Sequence, residues 1–138
     1  MKTTSYEISK KLKEAGFEAE TEYYWHAIND KIELYHVARA GLGDVKAYDL
    51  ETMLDALPES IQYKSSNCYY LCLRAPLRFS ETNKTLGYYC ECNEYMDNYR
   101  MGEEDGIFEF SKLSPNESLA DTAGRLLLLL HEKNLIKF

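Results

Sequence analysis

The sequence is short of the residues that divide or fasten a chain. Only 3 prolines and 7 glycines occur among 138 residues. They gather into no Pro/Gly/Ser stretch, so nothing reads as an inter-domain linker. No apolar run approaches the roughly 18 residues of a membrane-crossing helix. The longest aliphatic run, Leu126 to Leu130, is closed by Arg125 and His131. The opening residues Met1-Lys2-Thr3-Thr4-Ser5-Tyr6-Glu7 lack the apolar segment of an export signal. The expected compartment is therefore the cytoplasm, where cysteines stay reduced. Excess basic charge is missing too: 16 Lys and Arg against 23 Asp and Glu leave a formal charge of -7. A general binder of phosphate backbones needs the opposite balance, so nucleic acid is disfavoured as a partner.

Catalytic signatures are equally scarce. Gly41-x-Gly43 lacks the third glycine of a nucleotide loop, and neither Gly-x-Ser-x-Gly nor His-Glu-x-x-His occurs. The acidic run Glu103-Glu104-Asp105 lacks the alternating ligands of a calcium loop. No nucleophile, base and orienter can be named together. A non-enzyme is favoured, with no catalytic residue, no metal and no cofactor assigned.

What is present suits a folded domain. Hydrophobic residues make up 45% and charged residues 28%, close to the globular average. A chain of this length can bury a core without disulfides or metal. A short amphipathic helix is expected from about Ser5 to Ala15. Thr4 and Glu7 have capping-box spacing, Ile8, Leu12 and Ala15 form the stripe, and Gly16 closes it. Residues 22–28 and 31–38 read as strands joined by Asn29-Asp30, two residues that tolerate positive φ. A two-residue loop sets Trp25 opposite Leu34 and Ala27 opposite Ile32, the expected core face. Tyr24, His26, Lys31, Glu33 and Tyr35 take the wetter face. A second helix follows from Asp49, its N-cap, to Leu57, stopped by Pro58. Residues 60–64, 68–74 and 86–93 read as strands, residues 94–106 as an exposed acidic loop, and residues 107–110 as a short edge strand. The last helix is expected from a Ser114-Pro115-Asn116-Glu117 start to about Lys133, with Asn134 closing it. The order is α-ββ-α-βββ-(β)-α: one α+β domain over residues 1–138, a mainly antiparallel sheet with helices on one face.

Three groups of residues invite a functional reading. The 4 cysteines lie as Cys68-x-x-x-Cys72 and Cys90-x-Cys92, each pair on one face of its strand. Zinc ligation would need a bend, because residues four apart on a strand are about 13 Å apart. Small buried hydrophobes are the preferred reading. The histidines His26 and His36 point to opposite faces of the first hairpin and cannot share a site. His131 ends the last helix, where it suits the dipole.

The 12 tyrosines are the third group, several of them doubled: Tyr23-Tyr24, Tyr69-Tyr70 and Tyr88-Tyr89. Neighbours on a strand face opposite ways, so one ring of each pair is expected in the core and the other outside. Tyr24, Tyr35, Tyr69 and Tyr89 are the expected outward set, an aromatic surface for a partner protein. The acidic loop is a candidate second contact. The alternative is a small enzyme or ligand binder with a pocket between hairpins and helices, drawing on His36, Cys72, Cys90 and Glu91. The five leucines at 126–130 make the last helix apolar beyond one stripe. Burial within the chain is expected, and a homodimer through this helix is the other use of that surface.

Ser9-x-x-Leu12-x-x-Ala15-Gly16-Phe17, Tyr48-Asp49-Leu50-Glu51-Thr52-Met53-Leu54 and Glu117-Ser118-Leu119-Ala120-Asp121-x-x-Gly124-Arg125-Leu126-Leu127 together resemble small bacteriophage and prophage proteins of gut and related bacteria. The resemblance covers the three helices, under half of the chain. That group carries no established activity, so the resemblance transfers no residue role. It implies a cytoplasmic bacterial or phage setting and a host-directed or accessory protein.

Overall fold

The computed structural model describes residues 2–36, 44–63, 68–74, 84–90, 106–114 and 116–138. The fold is α+β, and the described residues form three helices and two antiparallel sheets in the order α-βββ-α-ββββ-α. The elements are α1 (Tyr6–Glu14), β1 (Tyr23–Ile28), β2 (Lys31–His36), β3 (Val45–Ala47), α2 (Leu50–Ala56), β4 (Ser60–Gln62), β5 (Cys68–Arg74), β6 (Thr85–Cys90), β7 (Gly106–Ser111) and α3 (Leu119–Glu132). The first sheet runs β2-β1-β3 and the second β4-β5-β6-β7. The strands thus form two sheets where the sequence suggested one. The extra strand, β3, has only three residues, too few for an alternating pattern to stand out. Val45 and Ala47 are buried on either side of an outward Lys46.

Helix ends show where local signals hold and where tertiary contacts outrank them. Asp49 caps α2 as expected, accepting from the Thr52 N–H at 2.8 Å. Helix α1 is capped by Ser5, one residue later than expected. Its other end closes on Gly16 at φ 93°, with Phe17 N–H donating to the Leu12 carbonyl, a Schellman arrangement. Asn134 at φ 59° does the same for α3, with Leu135 N–H reaching the Leu130 carbonyl. The start of α3 lies further on than expected, with Ser118 as N-cap. The Glu117 N–H instead donates to the Ser114 carbonyl at 3.0 Å, and the Glu117 carboxylate accepts from the Leu113 N–H at 2.6 Å and from Arg125 at 2.8 Å.

Thr4, displaced from its expected capping role, becomes a buried polar hub. Its N–H donates to the Tyr48 carbonyl at 2.7 Å, and its Oγ1 accepts from the Tyr48 N–H at 3.0 Å. The same hydroxyl lies 2.6 Å from Ser9 Oγ, and its carbonyl accepts from Trp25 Nε1 at 2.9 Å. Beside it, Ser118 Oγ donates to the Thr3 carbonyl, and Ser5 N–H donates to Asp121 Oδ1. The first residues are therefore tied to β3, β1, α1 and α3 together.

The core joins Ile8, Leu12 and Phe17 to Tyr48, Met53, Leu57, Ile61, Leu86, Tyr88, Ala123, Leu126, Leu127 and Leu130. Helix α3 packs against α1, α2, β6 and β7, so its apolar girth is used inside the chain, with Leu128 and Leu129 half-buried. Close approach of α1 and α3 requires Gly124: a Cβ there would lie 2.7 Å from Ile8 Cγ2. In the second sheet, Phe108 at φ 53° belongs to a bulge where Phe108 and Glu109 oppose Gly87. Among the described residues no helix is long and apolar enough to cross a membrane.

Candidate functional site

The β1–β2 hairpin is the most exposed regular element. Asn29 (φ 50°) and Asp30 (φ 65°) both take positive φ, the type I′ turn that suits a two-residue hairpin. The pairing sets Trp25 opposite Leu34, Ala27 opposite Ile32 and Tyr24 opposite Tyr35, as the loop length requires. Burial does not follow the expected face. Trp25 is covered, packing edge-on against Tyr6 of α1 with ring centroids 6.4 Å apart. Helix α1 is too short to cover the rows beyond it. Ile32 is 48% and Leu34 38% exposed, Ala27 is exposed, and all six residues of β2 face solvent. The predicted core face is thus an outer surface over half its length.

The opposite face carries a polar constellation. His26 Nδ1 is hydrogen-bonded to Asp44, whose side chain is only 6% exposed. Tyr35 packs edge-on to the His26 ring at 5.8 Å and donates its hydroxyl to Glu33 Oε2 at 2.7 Å. His26, Asn29, Lys31, Glu33 and Tyr35 line a concavity of about 330 Å³. Nearby, Lys46 Nζ bonds Glu18 at 2.8 Å. This hydrogen bond lowers the carboxyl pKa of Glu18 and raises that of the Lys46 ammonium. His36 lies on the other face, beside Tyr23 and 3.2 Å from Glu22, so the two histidines are separated as the register demands. Asp44 was not foreseen. It is placed by β3, which the sequence did not disclose: extending the Trp25–Val45 pairing by one residue sets Asp44 opposite His26.

The four singled-out tyrosines do not form one surface. Tyr24 and Tyr35 are cross-strand neighbours on the first sheet. Tyr69 and Tyr89 belong to the second sheet, and the pairings Tyr69–Cys90 and Tyr70–Tyr89 place them on opposite faces. Tyr69 is half-buried against the core. Tyr89 is 4% exposed beneath the Arg74 guanidinium, 3.5 Å from the ring centroid. Burial, together with its hydrogen bond to Glu109, raises its hydroxyl pKa. The members of each doubled pair lie on opposite faces of their sheet, but the expected division between core and solvent holds only on β5, where Tyr70 is 42% exposed: Tyr88 and Tyr89 are both buried, and Tyr23 and Tyr24 both half-buried. Burial also raises the pKa of Tyr88, which donates its hydroxyl to the Pro58 carbonyl.

Of the four cysteines, the side chains of Cys68 and Cys72 are described. Cys68 is half-buried and Cys72 exposed, against the expectation of burial, and the register sets Cys90 opposite Tyr69. Among the described residues no three His, Cys, Asp or Glu side chains are arranged to hold a metal ion. Cys92, Glu91 and the acidic loop at 94–105 lie outside the described residues. His36 and Cys72, paired in the enzyme alternative, belong to different sheets. Comparison with protein-family models, curated proteins and solved structures finds no match.

A larger groove of about 650 Å³ lies between the starts of α2 and α3. Its lining includes Leu50, Leu54 and Leu119 together with Lys2, Asp55 and Lys112.

Proposed function

We propose that this chain is a non-enzymatic protein-binding module that takes up its partner along the β2 edge of the first hairpin. The observation that carries this reading is a six-residue edge strand exposed at every position, with Ile32, Leu34 and Tyr35 all among the exposed large hydrophobics. Edge strands in stable monomers are normally blunted by charge, proline, a bulge or a covering element. Here the charges are Lys31, at the start, and Glu33, in a strand whose other positions are Ile, Leu, Tyr and His.

The turn geometry fixes which backbone groups are offered. In a two-residue hairpin the flanking pair, Ile28 with Lys31, exchanges both hydrogen bonds. The peptide groups of Lys31, Glu33 and Tyr35 then face β1, and those of Ile32, Leu34 and His36 face outward. An added strand would bond the outward set, with Ile32 and Leu34 flanking it on one face and Tyr35 on the other. Tyr24 and Tyr35 keep their expected role in this reading, while Tyr69 and Tyr89 leave it.

The test compares partner capture by wild type, Ile32→Lys, Leu34→Lys and, as a control on the second sheet, Tyr70→Ser. Cross-linking with mass spectrometry locates the captured protein. The hairpin variants are expected to lose the partner at least tenfold, with Tyr70→Ser unchanged. Equal capture by all four removes the reading.

A second reading rests on the His26–Asp44 pair. A buried carboxylate that orients an imidazole beside a concavity is an arrangement suited to proton transfer or ligand binding. It predicts small-molecule fragments that shift the His26 ring resonances in wild type and lose affinity in Asp44→Asn. An NMR fragment screen with no binder near His26 would discard it.

A further inference from the structure

We infer that the strand added to β2 is β2 of a second copy of this chain, paired antiparallel about a two-fold axis through Leu34. This rests on the edge reading above and names its partner.

The register follows by elimination. A two-fold axis perpendicular to a continuous sheet keeps each face on its own side, so a residue can pair only with one of its own parity along the strand. Four centres pair at least three residues of β2: Ile32, Glu33, Leu34 and Tyr35. Centring on Tyr35 pairs only residues 34–36 and leaves Ile32 without a partner in the strand. Centring on Glu33 sets that carboxylate against its own twin, and like charges directly opposite are destabilising. Centring on Ile32 drives the ladder into Asp30, which at φ 65° is a turn residue and cannot extend a strand. Centring on Leu34 avoids all three. Leu34 meets Leu34 of the second copy, Ile32 meets His36, and Glu33 meets Tyr35.

This register satisfies the edge on every count. The outward N–H and C=O groups of Ile32, Leu34 and His36 all find partners. The apolar side chains Ile32 and Leu34 come together on the face where they are now exposed. On the other face a phenol donor stands opposite a carboxylate acceptor twice over. The Tyr35 hydroxyl already donates to Glu33 of its own strand at 2.7 Å, so the two groups are matched in chemistry and reach. An exact donor–acceptor alternation about one residue suits the strand to its own copy better than to an arbitrary sequence. The product is one six-stranded sheet whose outer edges are the short β3 strands. Pairing through a single strand is narrower than a standard protein interface, so the dimer should dissociate on dilution at about micromolar concentration.

The experiment is sedimentation velocity of the full chain over a dilution series, with three variants. Leu34→Pro removes an outward N–H while leaving the hairpin's own ladder intact, a substitution edge strands tolerate. Loss of both central hydrogen bonds raises the dimer dissociation constant about thirtyfold or more. Tyr35→Glu places two carboxylates opposite each other and also weakens the dimer. Tyr35→Lys sets an ammonium opposite Glu33 and keeps it, which the Glu33-centred register, with Lys31 facing residue 35, would not. Unchanged circular dichroism establishes that each variant is folded. A wild-type dimer weakened by Pro and Glu but not by Lys supports the inference. A monomer at every concentration overturns it, as does a dimer that Leu34→Pro leaves intact. If a different protein is then captured by wild type and lost in Leu34→Lys, the edge reading survives and only the self-pairing falls.

Discussion

Replacing Gly124 by alanine puts two effects of opposite sign in competition. Within a helix, alanine is normally favoured over glycine by about 1 kcal/mol, because glycine loses more backbone freedom on folding. At this position the new methyl would stand 2.7 Å from Ile8 Cγ2, 3.6 Å from Thr4 Cγ2 and 3.8 Å from Leu12 Cδ1. The first contact is well inside van der Waals distance, and both residues are buried. Overpacking of this kind costs about 1–3 kcal/mol. The net expectation is destabilisation of about 1 kcal/mol, or about 4 °C in melting temperature for a chain of this size. The reasoning makes a sharper statement about Ile8→Leu, which removes the γ-methyl and keeps the volume. In that background Gly124→Ala should become neutral or stabilising by up to about 1 kcal/mol, a coupling of about 1–2 kcal/mol between the two sites. Urea unfolding of the four proteins, followed by circular dichroism with m-values compared, measures the cycle. If Gly124→Ala stabilises the wild-type background by the full helix-propensity gain, α1 and α3 do not approach as closely as described here.

Three further outcomes follow from the packing. Thr4→Val keeps the shape but strands the Tyr48 N–H and leaves the Ser9 hydroxyl only its 3.4 Å bond to the residue 4 carbonyl, so unfolding free energy should fall by about 1–3 kcal/mol; Ser9→Ala should cost less in that background than alone. Burial raises the Asp121 carboxyl pKa, against the lowering effect of its bond to Ser5 N–H. The folded state therefore binds a proton more tightly than the unfolded chain. Stability falls as pH rises from the ordinary aspartate range through the raised value, and the penalty is complete above it. Asp121→Asn keeps an acceptor for Ser5, so its advantage over wild type should be largest at neutral pH and shrink on acidification, as denaturation at several pH values will show. Asn134→Gly removes a side chain from a positive-φ position and should raise the melting temperature, by an equivalent of about 0.5–1 kcal/mol.

What the sequence disclosed depended on how local the determinant was. The hairpin register was legible because Asn29-Asp30 fixes the loop length, and loop length fixes every cross-strand pair. Which half of that hairpin is buried was not, because it depends on how far α1 reaches from its anchorage at Thr4 and Trp25. The cap of α2 was legible, with Asp49 the lone candidate. The expected caps of α1 and α3, Thr4 and Ser114, both gave way to serines further along, Ser5 and Ser118. In the first, Tyr48 claims Thr4 and leaves Ser5 to cap. In the second, Arg125 and Leu113 claim Glu117 and move the start to Ser118. The tyrosine doublets announced that their rings would divide between faces. They could not announce that Arg74, fifteen residues away, would close over Tyr89, or that Tyr70 would be left outside.

The fastening of the first residues to the last helix bears on how the chain is made. The bonds from Ser118 to Thr3 and from Ser5 to Asp121 join groups more than a hundred residues apart. A ribosome makes Thr3, Thr4 and Ser5 more than a hundred residues before their α3 partners, so these hydroxyls and amides wait until α3 emerges. Until then the apolar side of α1 has no cover from α3, and α2, β6 and β7 lack the helix they pack on. Assembly of these elements is therefore expected to be a closing event once α3 has emerged rather than a stepwise accretion, and a nascent chain stalled before residue 118 should remain protease-sensitive.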